Sequence, residues 1–260
     1  MGDPLLSLRE GAVLRLRMQR PAVHNAFDPV LIASLTHALE AAATDADVRV
    51  VVLESEGASF SAGADLNWMR GMAGAGEAEN RSDALALARL MRTLDELPKP
   101  TVARVQGAAF GGGVGLVACC DIAIGMTSAK FGLTESRLGL LPAVISPYVI
   151  EAIGARQARR WFATSETFDA DTARRIGLLH DVVVDEAQLD AAIARQIGLL
   201  LKAGPYAASH AKALVRRVSA SVDRVETDIE NAALIARLRV SSEGQEGLSA
   251  FLDKRAPGWA

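Results

Sequence analysis

Phe60-Ser-Ala-Gly-Ala-Asp-Leu66 and Gly107-Ala-Ala-Phe-Gly-Gly-Gly-Val-Gly115 are the stretches that decide how this chain folds. The first follows the apolar, β-branched run Val50-Val-Val-Leu53, and the second follows Pro100-Thr-Val-Ala-Arg-Val105 and opens into the apolar segment Val114 to Ala118. Both read as strand, tight turn and helix start. Glycine admits positive φ and a close approach by a ligand, so such turns leave backbone N–H groups pointing at whatever negative charge develops at the helix N-terminus. Two of these donors on one carbonyl oxygen would stabilise an enolate.

Outward from the turns, residues 12 to 18 alternate as a strand should, and Arg20-Pro-Ala-Val-His-Asn25 is a turn into a helix carrying Val30, Leu31, Leu35 and Leu39. Val48 to Leu53 reads as a strand, Leu66 to Met69 as a helical start, and Gly71 to Gly76 as a mobile small-residue patch. Ala78 to Glu96 is again helical, and Leu97-Pro-Lys-Pro100 stops it. Asp121 to Ile124 reads as a strand and Ala129 to Gly132 as a short extended piece. Beyond Pro147 the periodicity predicts helices throughout, with Ser241 to Gly247 an exposed turn before the closing segment Leu248 to Trp259. The expected fold class is α/β, a core of repeated ββα turns with an all-helical C-terminal region, divided into residues 1–195 and 196–260.

Composition bounds the function. The 260 residues are half hydrophobic, enough for one large buried core, and the formal charge of −3 supplies no basic field for nucleic acid or an anionic membrane. The first ten residues show neither a secretory leader nor, after Gly2, an acylation pattern, so a cytoplasmic location is expected. The most apolar window, Val102 to Met126, carries Arg104, Gln106 and Asp121 among its glycines and suits a buried strand, turn and helix better than a bilayer span. Adjacent Cys119 and Cys120 read as core thiols, and His24, His37, His180 and His210 lack ligand spacing, so no metal is expected. No dinucleotide fingerprint, phosphate loop or Gly-x-Ser-x-Gly elbow occurs.

These motifs resemble the crotonase superfamily, the enoyl-CoA hydratase and isomerase family, over nearly the whole chain. The resemblance rests on Arg20-Pro-x-x-x-Asn-Ala26, Phe60 to Leu66, Pro98 to Gly107, Phe110-Gly-Gly-Gly113, Cys120-Asp-Ile-Ala-Ile124, Phe131-Gly-x-x-Glu135, Gly139-Leu-Leu-Pro142 and Phe251-Leu-Asp-Lys-Arg255, in the family's order. It implies a crotonase-like spiral, trimers or pairs of trimers with the C-terminal helices serving assembly and active-site cover, and an acyl-CoA thioester substrate. No cofactor beyond the substrate's own CoA is implied. Carried over by position, the oxyanion hole falls on the N–H groups of Ala64 and Gly112, and the catalytic carboxylate on Glu135. Ala22, Ala26, Asp65, Leu66 and Asn67 fall beside the CoA moiety, and Gly111 and Gly115 among the substrate-binding positions. Where the family often has lysine this chain has Ala22, so one phosphate contact is expected to be missing or to come from another basic residue, Lys254 or Arg255 of a neighbouring element.

Without the resemblance, Glu135 reads as a carboxylate favoured at a helix start, and Asp65 as the cap of the Leu66 to Met69 turn. Two departures bear on mechanism. The typical hydratases carry a second glutamate at the position of Gly115, whose absence is expected to leave space for an ordered water or a bulkier acyl chain. The segment Ala143 to Ile150 replaces the family's glycine-rich stretch and looks like the branch of methylglutaconyl-CoA or isohexenylglutaconyl-CoA hydratases, which serve leucine and acyclic terpene degradation. The resemblance thus implies a hydratase of a branched or dicarboxylic 2-enoyl-CoA such as 3-methylglutaconyl-CoA. A double-bond isomerase using the single glutamate, or a weakly active acyl-CoA binding protein, are the alternatives.

Overall fold

The computed structural model describes residues 3–260, so Gly2 and its lack of an acylation pattern lie outside it. The chain opens with a hairpin, β1 (Leu5–Glu10) and β2 (Val13–Met18), then a helix, α1 (Pro29–Thr44). Pro29 occupies the first turn of α1 and the Asp28 carboxylate accepts from the Leu31 N–H at 2.8 Å, a cap of roughly 1 kcal/mol. Three turns of a spiral follow. They are β3 (Val50–Ser55), β4 (Ser59–Ser61), α2 (Leu66–Ala73) and α3 (Glu77–Asp95); then β5 (Thr101–Val105), β6 (Ala108–Phe110) and α4 (Gly112–Cys119); then β7 (Ile122–Met126), β8 (Lys130–Gly132), a 3-10 turn at Glu135–Leu138 and α5 (Ser146–Thr164). The remainder is β9 (Thr167–Asp169), α6 (Ala170–Arg175), β10 (Asp181–Val183), α7 (Glu186–Lys202), α8 (Pro205–Ala220), α9 (Arg224–Val240) and α10 (Ser242–Leu252).

Each turn of the spiral gives its long strand to one sheet, ordered β1-β2-β3-β5-β7-β10, and its short strand to another, ordered β4-β6-β8-β9. From β2 to β10 the first sheet is parallel, and it is covered on both faces. That is why Val50-Val-Val-Leu53 is a continuous apolar run: Val51 and Leu53 face a core shared with Leu35, Leu39, Leu90 and Leu94, while Val50 and Val52 face Leu189 and Ile193 of α7. Burying a side chain such as Leu35 completely stabilises the fold by roughly 1.5–3 kcal/mol. Cys119 and Cys120 are free, buried thiols, as expected of core residues, and burial pushes the Cys120 thiol up to about 12.

Three local expectations fail. Strands β9 and β10 interrupt the stretch beyond Pro147: β9 pairs antiparallel with β8 and β10 parallel with β7. Three residues are too few to show a period of two, so the helical spacing on either side masked them. Helix α2 runs on through Gly71 to Ala73, because Asp65 caps its start and Gly74 ends it, which leaves less of the small-residue patch irregular. Ser241 to Gly247 is the start of α10 and not a turn, since the Ser241 hydroxyl accepts from the Gly244 N–H at 3.0 Å and Gly244 lies against the Leu238 carbonyl, too close for a side chain. Residue 195 lies inside α7, whose apolar face belongs to the second core.

The last three helices are held differently. Of their residues, only Thr227 and Ala250 are buried. Polar anchors tie them to the spiral: Lys212 pairs with Asp121 at 3.0 Å, and the Arg49 guanidinium donates to the carbonyls of Leu201, Ala203 and Trp259, each at 2.7 Å. Among the described residues no helix is long and apolar enough to cross a membrane.

Candidate active site

The two glycine turns abut. Gly63 has φ +86° and Gly111 φ +48°, conformations open to glycine, and the space a Cβ on Gly63 would enter holds the Phe110 carbonyl oxygen at 3.0 Å and the Gly111 Cα at 3.8 Å. The β4-to-α2 turn is pinned along the segment before α1: Ala62 N–H donates to His24 O, Phe27 N–H to Gly63 O and Asp65 N–H to Phe27 O, at 2.6 to 2.9 Å. Asn25, fully buried, holds the same segment by donating to Glu56 O and Ser59 O. Ala22, Ala26, Ala64, Asp65, Leu66 and Asn67 are therefore brought to one place by chain segments far apart in sequence. The N–H groups of Ala64 and Gly112 have no acceptor among the described residues, Gly112 because it is the first residue of α4. Ala64 is exposed and Gly112 half-buried.

Glu135 begins the 3-10 turn after β8 and lays its carboxylate across the second glycine turn. Its Oε1 is 3.0 Å from where a Cβ on Gly111 would sit. Its Oε2 is buried and accepts no hydrogen bond. Burial raises its pKa above the ordinary glutamate value, opposed only by its own backbone N–H. A carboxyl so placed is neither the solvated residue nor the helix-start anion of the local reading; it is suited to hold and release a proton at a higher pH than an ordinary glutamate.

Asp65 caps α2 as its spacing suggested, accepting from the N–H groups of Asn67 at 2.8 Å and Trp68 at 3.4 Å, while Arg20 pairs with its other oxygen at 3.0 Å. Burial alone would push the Asp65 carboxyl up, but those two N–H groups and Arg20 hold it below its usual value. Both its oxygens are thus committed to the fold. Arg20 also donates to the Ala26 carbonyl and pairs with Asp28 at 2.9 Å, which fixes the turn bearing Ala22 and Ala26. Its positioning role was not evident from spacing, because Asp65 lies 45 residues along the chain from it.

One expectation is corrected, and one is not met within a single chain. Gly115 leaves no open space: a Cβ there would collide with the Cγ2 of Ile145 and lie 2.9 Å from its Cβ and 3.2 Å from Met91 Cε. Ile145 was not singled out by the sequence, since nothing local connects it with α4. Lys254 is not brought to the Ala22 turn within one chain. It follows α10, which packs on α9, and it makes no hydrogen bond or ion pair with that turn; its neighbour Arg255 is engaged by Glu246 at 2.7 and 2.8 Å. Of the arginines near these elements, Arg70 is bonded to Asn67, whereas Arg137 has no carboxylate partner among the described residues. Leu66, Leu138, Leu140 and Leu141, which flank Asp65 and Glu135 in sequence, are all exposed.

Comparison with known proteins places this geometry. The family model for enoyl-CoA hydratase/isomerase matches residues 9–260. The chain is 33% identical over 254 residues to 2,3-dehydroadipyl-CoA hydratase of Escherichia coli, covering 97% of each chain. It is 30% identical over 250 residues to human mitochondrial methylglutaconyl-CoA hydratase, covering 94% of this chain and 73% of that one. A crystal structure of an enoyl-CoA hydratase from Shewanella pealeana superposes with a TM-score of 0.95 at 45% identity, covering 98% of this chain and 96% of the other.

Proposed function

The chain belongs to the enoyl-CoA hydratase/isomerase family, and from that premise we propose that it hydrates a branched or dicarboxylic 2-enoyl-CoA with Glu135 as its one proton-transfer group. The thioester carbonyl oxygen sits between the N–H groups of Ala64 and Gly112. As the oxygen of a water bonds to C3, the Glu135 carboxylate takes one of its protons and the electron pair of the double bond moves onto the thioester as an enolate. Glu135 then returns that proton to C2. The two N–H donors stabilise the charge only when it develops, the kind of contact whose loss costs about 10² to 10³ in rate. Nothing is oxidised or reduced, and the backbone polarises the carbonyl, so the chemistry calls for neither metal nor redox cofactor.

The single observation that carries this reading is the half-buried carboxyl of Glu135, its Oε2 buried and unpartnered, lying on the turn that bears Gly112. Support for a dicarboxylic acyl chain comes from two relatives whose names specify such substrates, and from Arg137, a cation two residues from Glu135 with no carboxylate partner among the described residues. We place Ala22, Ala26, Leu66 and Asn67 against the CoA moiety, with Asp65 acting through the cap it provides. The exposed apolar faces of α8 to α10 are assigned to a trimer or hexamer, in which Lys254 of one subunit serves the CoA phosphates of the next. A cytoplasmic enzyme of leucine breakdown is the setting this substrate class suggests.

Loss of enoyl-thioester absorbance with crotonyl-CoA and 3-methylglutaconyl-CoA, beside its appearance from a 3-enoyl-CoA, tests the proposal. Faster hydration of 3-methylglutaconyl-CoA than of crotonyl-CoA is expected, with slow double-bond migration. Efficient migration without hydration of either 2-enoyl substrate makes the chain an isomerase, and tight binding without turnover makes it an acyl-CoA binding protein.

A further inference from the structure

The two departures from the family pattern, Gly115 and the segment Ala143 to Ile150, are halves of one contact. Gly115 follows Gly111 by one turn at the start of α4, its N–H donating to the Gly111 carbonyl at 3.2 Å, so the groups resting on these two glycines are successive along the chain's entry into that helix. On Gly111 rests the Glu135 carboxylate. On Gly115 rests the side chain of Ile145, with Met91 beside it. Ile145 is the residue before α5 and is only 3% exposed. Its place is fixed by hydrogen bonds on either side: Ser146 donates through both N–H and hydroxyl to Ala143 O, and Val149 N–H donates to Ile145 O at 3.1 Å. A β-branched side chain has little rotamer freedom with which to move away, and Met91 is held in turn near Cys119, sulfur to sulfur at 3.8 Å.

Resting on the reading of Glu135 given above, we infer that Ile145 is a positioning residue for Glu135: its side chain seals the face of α4 beside the carboxylate against both water and a second acidic side chain. No charged group takes part in setting its ionisation. From α5, Tyr148 and Glu151 lie in the crevice with Asp95 and Cys119, and Arg160 pairs with Glu166. From the first glycine turn, Asp65 is taken by Arg20, and α4 carries no charged residue. Arg137, on the same 3-10 turn as Glu135, is exposed, and no charge is among the causes that shift Glu135. The aliphatic wall keeps the carboxyl desolvated, and it makes a glycine obligatory at 115, because any larger residue there would have to displace Ile145.

The test is the pH dependence of kcat/KM for hydration in Ile145→Ala, Ile145→Val, Gly115→Ala and the Gly115→Ala, Ile145→Ala pair, each checked for folding by circular dichroism. Removing the wall admits water to a site that has a polar partner for it. The acidic limb of Ile145→Ala should therefore move down by about half a pH unit or more, and Ile145→Val should move it less in the same direction. KM should change little against kcat. Gly115→Ala alone should lose about tenfold or more in kcat as Ile145 is pushed toward Glu135, and the second substitution should restore most of that loss. An unchanged pH profile in a folded Ile145→Ala enzyme, or a Gly115→Ala enzyme as active as the parent, overturns the inference while the hydratase reading stands. Absence of hydration by the parent overturns both.

Discussion

Strand β3 buries all six of its residues within its own chain, whereas α8, α9 and α10 together bury Thr227 and Ala250 and leave Val225, Ile229, Val240, Phe251 and Leu252 in solvent. On the proposal that α8 to α10 meet neighbouring subunits, the difference separates what one chain completes from what it leaves for another. In the spiral, close packing fixes the glycine turns and lays Glu135 on them. In the terminal helices, the apolar surface has no cover, and ion pairs such as Lys212 with Asp121 hold them in place. Exposed apolar area of that kind marks an association surface. Changes in the spiral should therefore be read out in catalysis, and changes in the helices in assembly.

The sharpest separation comes from Glu135→Gln. Loss of the acid–base group should lower kcat by ~10² to 10⁴ with affinity for CoA esters retained. Stability should move the other way. Because burial raises the folded-state pKa of Glu135, its ionisation opposes folding: the favourable contribution is complete below the unfolded value of 4.5 and is lost as pH rises through the raised folded value. The glutamine variant should thus melt no lower than the parent at pH 7, measured by calorimetry. A variant that is both less stable and half-active would place Glu135 in the scaffold.

A smaller effect on activity, with a real cost in stability, is expected from Gly111→Ala. Its φ of +48° is strained for alanine by ~1–3 kcal/mol, and the new methyl would press on Glu135 Oε1. Thermal unfolding and kcat should both fall. An alanine variant with parental kcat would detach the carboxylate from the second turn. The smallest change to the fold, and the largest to mass, should follow Ile229→Asp on the exposed face of α9. Light scattering should show smaller species while circular dichroism stays the same. A parental mass would remove α9 from the interface.

How much of this was legible follows from where the information lies. The strands β3 and β5 and the Asp65 cap are local patterns of a few residues and appear where the sequence put them, whereas the stretches read as turns also hold the short strands β4 and β6. The three-residue strands β9 and β10 were hidden because their identity is set by the sheets they complete, with Val182 beside Gly125 and Phe168 beside Phe131. Helix α10 was missed because Ser241-Ser-Glu-Gly-Gln-Glu-Gly247 has no apolar spacing and is nucleated by one hydroxyl. The misreading of Gly115 has the same origin. A glycine announces that something comes close but not what, and Ile145 arrives from another turn of the spiral.

The central claim, that one buried carboxyl carries both proton transfers, is tested most directly by the pH profile of kcat/KM for hydration of a 2-enoyl-CoA by the parent and by Glu135→Gln. The parent should show an acidic limb of unit slope, with its midpoint above that of an ordinary glutamate because burial disfavours the anion, and the residual activity of the glutamine variant should show no such limb. A limb of slope two, or one that survives in Glu135→Gln, would show that another group shares or performs the proton transfer.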